Sequence, residues 1–288
     1  MDHIIHYRGL LSVCKDLCGY DRVGSMKNII EINDLSVSYN KSNLALNHVS
    51  LSVSQGSILV IVGESGSGKS TLIRSVIRIL PPGGKIDSGK IYFQNEDIIG
   101  LKPEQMRRLR GRQIALIFQN ARDCLNPKRK IGVQFIESLR SHSSLSAKEA
   151  RRIALAALTD TNLPNPERVM DAYAFELSDG MCQRIVFAMA ISEYAQPLLL
   201  LADEPTSSLD TTIQAQVIRQ MLDYRERFGT SIIMVTHNFG VAAYMADTIA
   251  VMRDGCLVEC GERDDIILHP QCEYTKELLD AVPKLEVR

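Results

Sequence analysis

Eight consecutive residues carry the clearest chemistry in the chain: Gly63, Glu64, Ser65, Gly66, Ser67, Gly68, Lys69 and Ser70 fit the spacing GxxxxGK[ST]. Each residue type has a use there. The glycines let backbone N–H groups turn toward phosphate oxygens, Lys69 can carry its charge to the β- and γ-phosphates, and Ser70 offers a hydroxyl to Mg²⁺. Thr71 follows in the same helical turn. The plain alternative is a glycine-rich turn without function, and the flanking sequence argues against it. Ile58 to Val62 reads as a buried strand leading into the loop, and Lys69 to Leu80 as a helix that Pro81-Pro82 ends. A second run, Leu198 to Ala202, closes on Asp203-Glu204. At the carboxyl edge of a parallel sheet, Asp203 would reach the metal and Glu204 would polarise an attacking water; the bland reading is a pair of surface carboxylates at a strand end.

The elements that must position these groups follow from periodicity. Apolar and polar residues alternate through Ile29 to Ser38, Leu46 to Ser54 and Lys90 to Gln94, which predicts an antiparallel β layer. From about Leu101 to Phe175 the sequence turns charged and helix-forming, with helical spacing in Ala147 to Leu158 and loop signals at Asn162 to Pro166. Two apolar runs, Leu198 to Ala202 and Ser231 to Thr236, flank a helical stretch at Thr211 to Phe228, the signature of a parallel sheet with crossover helices. Val251 to Cys260 alternates around Asp254-Gly255 as a hairpin would. The fold class is therefore α/β.

Composition sets limits on function. The chain has 288 residues, 45% hydrophobic and 23% charged, with a net charge of −1, so no broad basic field invites nucleic acid. No apolar run approaches the roughly 20 residues needed to span a bilayer. Residues 1 to 25 are interrupted by charge and lack the apolar core of a secretory signal, which points to a cytosolic location. Seven scattered cysteines fit reduced thiols better than a disulfide framework, and neither Cys14/Cys18 nor Cys256/Cys260 with Cys272 has a zinc spacing.

Further motifs narrow the class. Leu177-Ser-Asp-Gly-Met-Cys-Gln-Arg184 resembles the LSGGQ-type signature of ABC ATPases in its LSGGMxQR form. Pro205-Thr-Ser-Ser-Leu-Asp210 is similar to their D-loop, Gln119 to the Q-loop glutamine, His237 to the switch histidine, and Tyr39 to the aromatic under adenine. Phe118-Gln119 with Leu125-Asn-Pro127, and His269-Pro270 with Tyr274-Thr275 and Leu278-Leu279, resemble FQDPxxSLNP and HPYTxxLL of peptide and nickel importer ATPases. Asn120 stands where Asp is expected, and Gln271-Cys272-Glu273 interrupts the second motif.

The resemblance implies a P-loop, RecA-like ABC ATPase core with an antiparallel β layer and an inserted helical subdomain. Its expected boundaries are an extension over residues 1–26, an ATPase domain over 27–268 with the insertion at about 101–183, and a tail over 269–288. It implies ATP and Mg²⁺, with Tyr39 on adenine and Gly63 to Thr71 on phosphates. Ser70, Gln119 and Asp203 would hold the metal, Glu204 would be the base and His237 would touch the γ-phosphate. Ser178, Asp179, Gly180 and Gln183 would serve the ATP of a partner ATPase, and Ser208 and Asp210 the dimer contact. The implied assembly adds two membrane permease subunits and an extracytoplasmic solute-binding protein, places the chain on the cytoplasmic face of the membrane, and involves no nucleic acid. The alternative is an ABC ATPase with a non-transport role.

Asp179 departs from the signature at its first glycine. A carboxylate facing a partner's γ-phosphate would oppose closure, so a heterodimer is expected over a homodimer, with this chain's own P-loop doing most of the hydrolysis. The milder reading makes Asp179 the first residue of a helix capped by Ser178. Met26-Lys-Asn-Ile-Ile begins the first β run, so residues 1–25 are expected to be dispensable. Deleting them should leave ATP affinity and membrane assembly unchanged in a pull-down; loss of assembly would assign the segment a function.

Overall fold

The computed structural model describes residues 27–40, 43–141, 143–192, 194–207 and 209–281. The extension with Cys14 and Cys18, Ser208 of the expected dimer contact, and the end of the tail lie outside those residues. The strands run β1 Asn28–Tyr39, β2 Asn43–Ser54, β3 Ile58–Val62, β4 Gly84–Phe93, β5 Glu96–Asp97, β6 Ile114–Ile117, β7 Leu199–Asp203, β8 Ser231–Val235, β9 Thr248–Arg253 and β10 Cys256–Glu262. The chain forms two compact units: the first takes the segments up to Gly100 and from Val235 onward, the second Leu101 to Met234.

In the first unit, β2, β1, β4 and β5 form an antiparallel sheet in that order. Ile32 lies opposite Leu51 on one side and Ile91 on the other. All three are buried, so the alternation read from the sequence has fixed the register. β3 is buried along its whole length and pairs in parallel with β9, Val62 opposite Val251. The first residue of β3 is tied down as well, Ile58 N–H donating to Asp247 Oδ2 at 2.8 Å. β9 returns into β10 through Asp254 (φ 48°) and Gly255 (φ 79°), both left-handed, as a tight hairpin turn between right-twisted strands requires. The helix after the glycine loop is shorter than expected. It spans Lys69–Val76 and stops a turn before the prolines because Arg78 adopts φ 53°. Arg78 N–H then reaches Ser75 O and Ile79 N–H reaches Arg74 O, closing the end with the bonding pattern that usually calls for glycine.

The second unit pairs β6 in parallel with β7, Ile114 opposite Leu199, and β8 follows beside β7. β6 was not expected, since its apolar residues sit inside a run otherwise spaced for helices. Helix Ala147–Asp160 buries Ala150, Ile153, Ala154, Ala157 and Leu158, a stripe at helical spacing. Ser146 and Glu149 cap it reciprocally, and the bonds from Ser146 hold the Glu149 carboxyl below its usual range. Helix Thr211–Phe228 matches its predicted span. Asp210 caps its start, accepting from Thr212 N–H and Ile213 N–H at 3.0 Å each, and Gly229 at φ 66° ends it. Asp210→Ala should therefore lower stability by about 1 kcal/mol, read as an earlier urea midpoint at unchanged slope. Unchanged stability with loss of ATP-dependent pairing would instead assign Asp210 to a subunit contact alone.

Candidate nucleotide site

Lys69 closes the glycine loop on itself. Its side chain is buried, and Nζ donates to Gly63 O at 2.8 Å, Glu64 O at 2.6 Å and Ser67 Oγ at 3.3 Å. Backbone oxygens thus solvate the ammonium in place of water. Glycine is required at both ends of the loop. A Cβ on Gly63 would lie 2.1 Å from Met252 O and one on Gly68 2.5 Å from Ala45 O, at φ 148° and 99° respectively. The turn between β9 and β10 adds a brace, Gly255 N–H donating to Ser67 O. Glu64, Ser65 and Gly66 are exposed, which leaves that side of the loop open to a ligand.

A brace the sequence did not reveal comes from the tail. Glu64 N–H donates to Tyr274 Oη at 3.2 Å, and the Arg253 guanidinium sits 4.7 Å from the centre of the Tyr274 ring. Burial pushes the phenol's pKa up. The approach to helix Glu273–Asp280 is held by Glu259, which accepts from Gln271 N–H at 2.7 Å and Cys272 N–H at 3.2 Å. On the helix that leaves the loop, Thr71 Oγ1 lies 3.4 Å from Tyr39 Oη, so the expected adenine-binding aromatic stands at the loop's helix. His237 is exposed just beyond β8, between Thr236, whose N–H donates to Ile61 O, and Asn238, which caps helix Phe239–Met245.

The second unit carries the acidic groups. Asp203 is fully buried at the end of β7. Glu204 follows at φ 45°, a conformation costly for a residue with a long side chain and characteristic of functional positions. Gln119 Nε2 donates to Glu204 Oε2 at 3.1 Å, so these two candidates are brought together. In the signature, Ser178 caps helix Asp179–Ile191 by accepting from Met181 N–H, as the milder reading of Asp179 anticipates. A Cβ on Gly180 would come within 3.2 Å of Ile213 Cγ2. Gln183 is buried, and its Nε2 has no hydrogen-bond partner among the described residues. Asp179 is not a bare carboxylate: Arg122 Nε donates to its Oδ1 at 2.7 Å, and Arg122 Nη2 to Leu177 O at 2.7 Å. That hydrogen bond raises the guanidinium's pKa further. Arg122 was missed because a single basic residue in helix Ala121–Cys124 has no spacing to mark it.

The groups expected at Mg²⁺, the Ser70 hydroxyl in the first unit and the Asp203 carboxylate and Gln119 amide oxygen in the second, are each hard oxygens of the kind that cation takes. Among the described residues no group of three or more His, Cys, Asp or Glu gathers as metal ligands. No helix among the described residues is long and apolar enough to cross a membrane.

Glycine loop, acidic strand end and capped signature together define an ATP-binding cassette. Residues 46–207 match the family described as ABC transporter. The oligopeptide transport ATP-binding protein OppD of Bacillus subtilis is 40% identical over 262 residues, covering 90% of this chain and 73% of that protein. The dipeptide transport ATP-binding protein DppD of the same organism is 40% identical over 266 residues, covering 91% and 79%. A solved dimeric ATP-binding cassette in a post-hydrolysis state with ADP and Pi superposes with a TM-score of 0.72 at 25% identity, covering 81% of this chain and 98% of that one. The chain belongs to the ABC transporter family, as an ATP-binding and ATP-hydrolysing subunit.

Replacing Tyr274 by Phe removes one bond to the loop and keeps the ring under Arg253. ATP affinity should fall by roughly threefold in a titration, the worth of one modest hydrogen bond, with the melting temperature preserved. Unaltered affinity would show that the tail is no part of the loop's support.

Proposed function

We propose that this chain energises an importer for peptides, binding ATP at Gly63 to Thr71 and hydrolysing it with Glu204 as the base. The observation that carries the hydrolytic part is Glu204 itself, in a left-handed conformation at the end of β7 and hydrogen bonded to Gln119. The names of the relatives, oligopeptide and dipeptide transport proteins, support the cargo, and they favour peptide over nickel.

Tyr39 stacks on adenine, and Lys69 exchanges carbonyl oxygens of its own loop for phosphate oxygens. Ser70, Gln119 and Asp203 would hold Mg²⁺, which when bound would offset the charge of the phosphates. Glu204 accepts a proton from the attacking water, and His237 reads the γ-phosphate. Ser178, Asp179, Gly180 and Gln183 face the ATP of a second ATPase subunit, with Ser208 and Asp210 at the contact between subunits. The second subunit is taken to be a different chain, one whose signature keeps glycine where this chain has Asp179. ATP favours the closed pair since only that state satisfies the γ-phosphate, and hydrolysis releases it. Two permease subunits turn closure into a change in the membrane path, a solute-binding protein supplies cargo, and the ATPase pair works from the cytoplasmic face.

In the complex purified from membranes, Glu204→Gln should bind ATP normally while turnover falls by about 10²- to 10⁴-fold, the usual contribution of a general base. Turnover close to that of the parent would remove Glu204 from the role of base, and co-purification of soluble partners alone would overturn transport.

A further inference from the structure

We propose that Arg122 is a positioning residue for the signature, neutralising Asp179 so that a partner's γ-phosphate meets no net negative charge there. The inference rests on the reading of Ser178 to Gln183 as the surface presented to a second subunit's ATP. A lone exposed ion pair is worth little, because water and salt screen it and long side chains resist being held in place. This pair differs in its geometry. Arg122 spends one N–H on the carboxylate and a second on the carbonyl of Leu177, on the far side of Ser178. The guanidinium therefore spans the helix cap, and its fork is held at two points rather than one. The Asp179 side chain is still 62% exposed, so a docking surface can reach it.

Electrostatics then decides what the substitution of glycine by aspartate does. Unpaired, Asp179 would place a negative charge beside a polyanion as water leaves the interface, where repulsion is strongest. Paired, it contributes almost no net charge, and the signature keeps the helix dipole and the Ser178 cap that favour an anion. Position adds a second consequence. Arg122 lies three residues beyond Gln119, which bonds Glu204. One short segment therefore touches the base at one end and the signature at the other, so movement of Gln119 as a nucleotide arrives would be felt at Leu177 and Asp179.

The test compares Arg122→Ala, Arg122→Lys, Asp179→Gly and the double variant Arg122→Ala/Asp179→Gly in the purified transporter, measuring ATP turnover against salt. Arg122→Ala should lower turnover on the order of tenfold at low salt, the effect of losing about one charge-assisted hydrogen bond. The defect should shrink as salt rises from about 0.01 M to about 1 M, where the Debye length falls from about 30 Å to about 3 Å. Arg122→Lys should retain most turnover, and the double variant should exceed Arg122→Ala, since removing the carboxylate removes the repulsion. A purely structural role would give a salt-independent defect and a double variant no better than the single, and either result overturns the inference. Parent-like turnover in Arg122→Ala also overturns it. Lys69→Ala in the same preparation separates the two levels: if it leaves turnover intact, the ATPase reading fails, whereas its loss beside an unaffected Arg122→Ala sinks only the role of Arg122.

Discussion

A buried lysine ammonium that must be solvated by its own backbone is the constraint on which the first unit depends. The Gly63 and Glu64 carbonyls and the Ser67 hydroxyl reach Lys69 Nζ, and they can do so only if the chain bends sharply at Gly63 and again at Gly68. Those bends bring the loop against Met252 of β9 and Ala45 of β2, so the parallel and antiparallel sheets both end at the loop. The loop is stiff for the same reason. Its walls are strand ends, and strand ends in a buried sheet have little freedom. The loop's shape is thereby set in advance, and a ligand docking there would spend little binding energy on ordering it.

The acidic side obeys a different rule. Asp203 is buried because it ends a wholly apolar strand, and the turn that follows forces Glu204 out of the extended region. Local strain is kept there by neighbours on either side, β7 before it and the Pro205 turn with Ser207 N–H donating to Glu204 O after it. Gln119 comes to Glu204 because β6, whose end it follows, lies beside β7. A strand of four residues thus decides the geometry of the Gln119–Glu204 pair.

Much of this was legible in the sequence wherever local chemistry dictates structure. The loop, the acidic strand end, the Ser178 cap, the Asp254-Gly255 turn and helix Thr211–Phe228 each depend on residues within a few positions of one another. What escaped depends on contacts distant in sequence or on conformations against type. β6 was hidden because Ile114 to Ile117 is too short to show a period of two inside a helical region. The early stop at Val76 was hidden because Arg78, not glycine, takes the left-handed position. Arg122 and Asp179 are separated by 57 residues, and no periodicity links them.

The bond from Glu64 to Tyr274 spans 210 positions of a 288-residue chain. During synthesis the glycine loop emerges well before the phenol that braces it, which follows 210 residues later. Contacts of such separation carry a high closure entropy and form late. A nascent chain that has not yet reached Tyr274 therefore holds a loop with its glycines in place and one wall missing. Synthesis through Tyr274, rather than completion of the loop's own sequence, marks the moment at which this brace on the glycine loop can form.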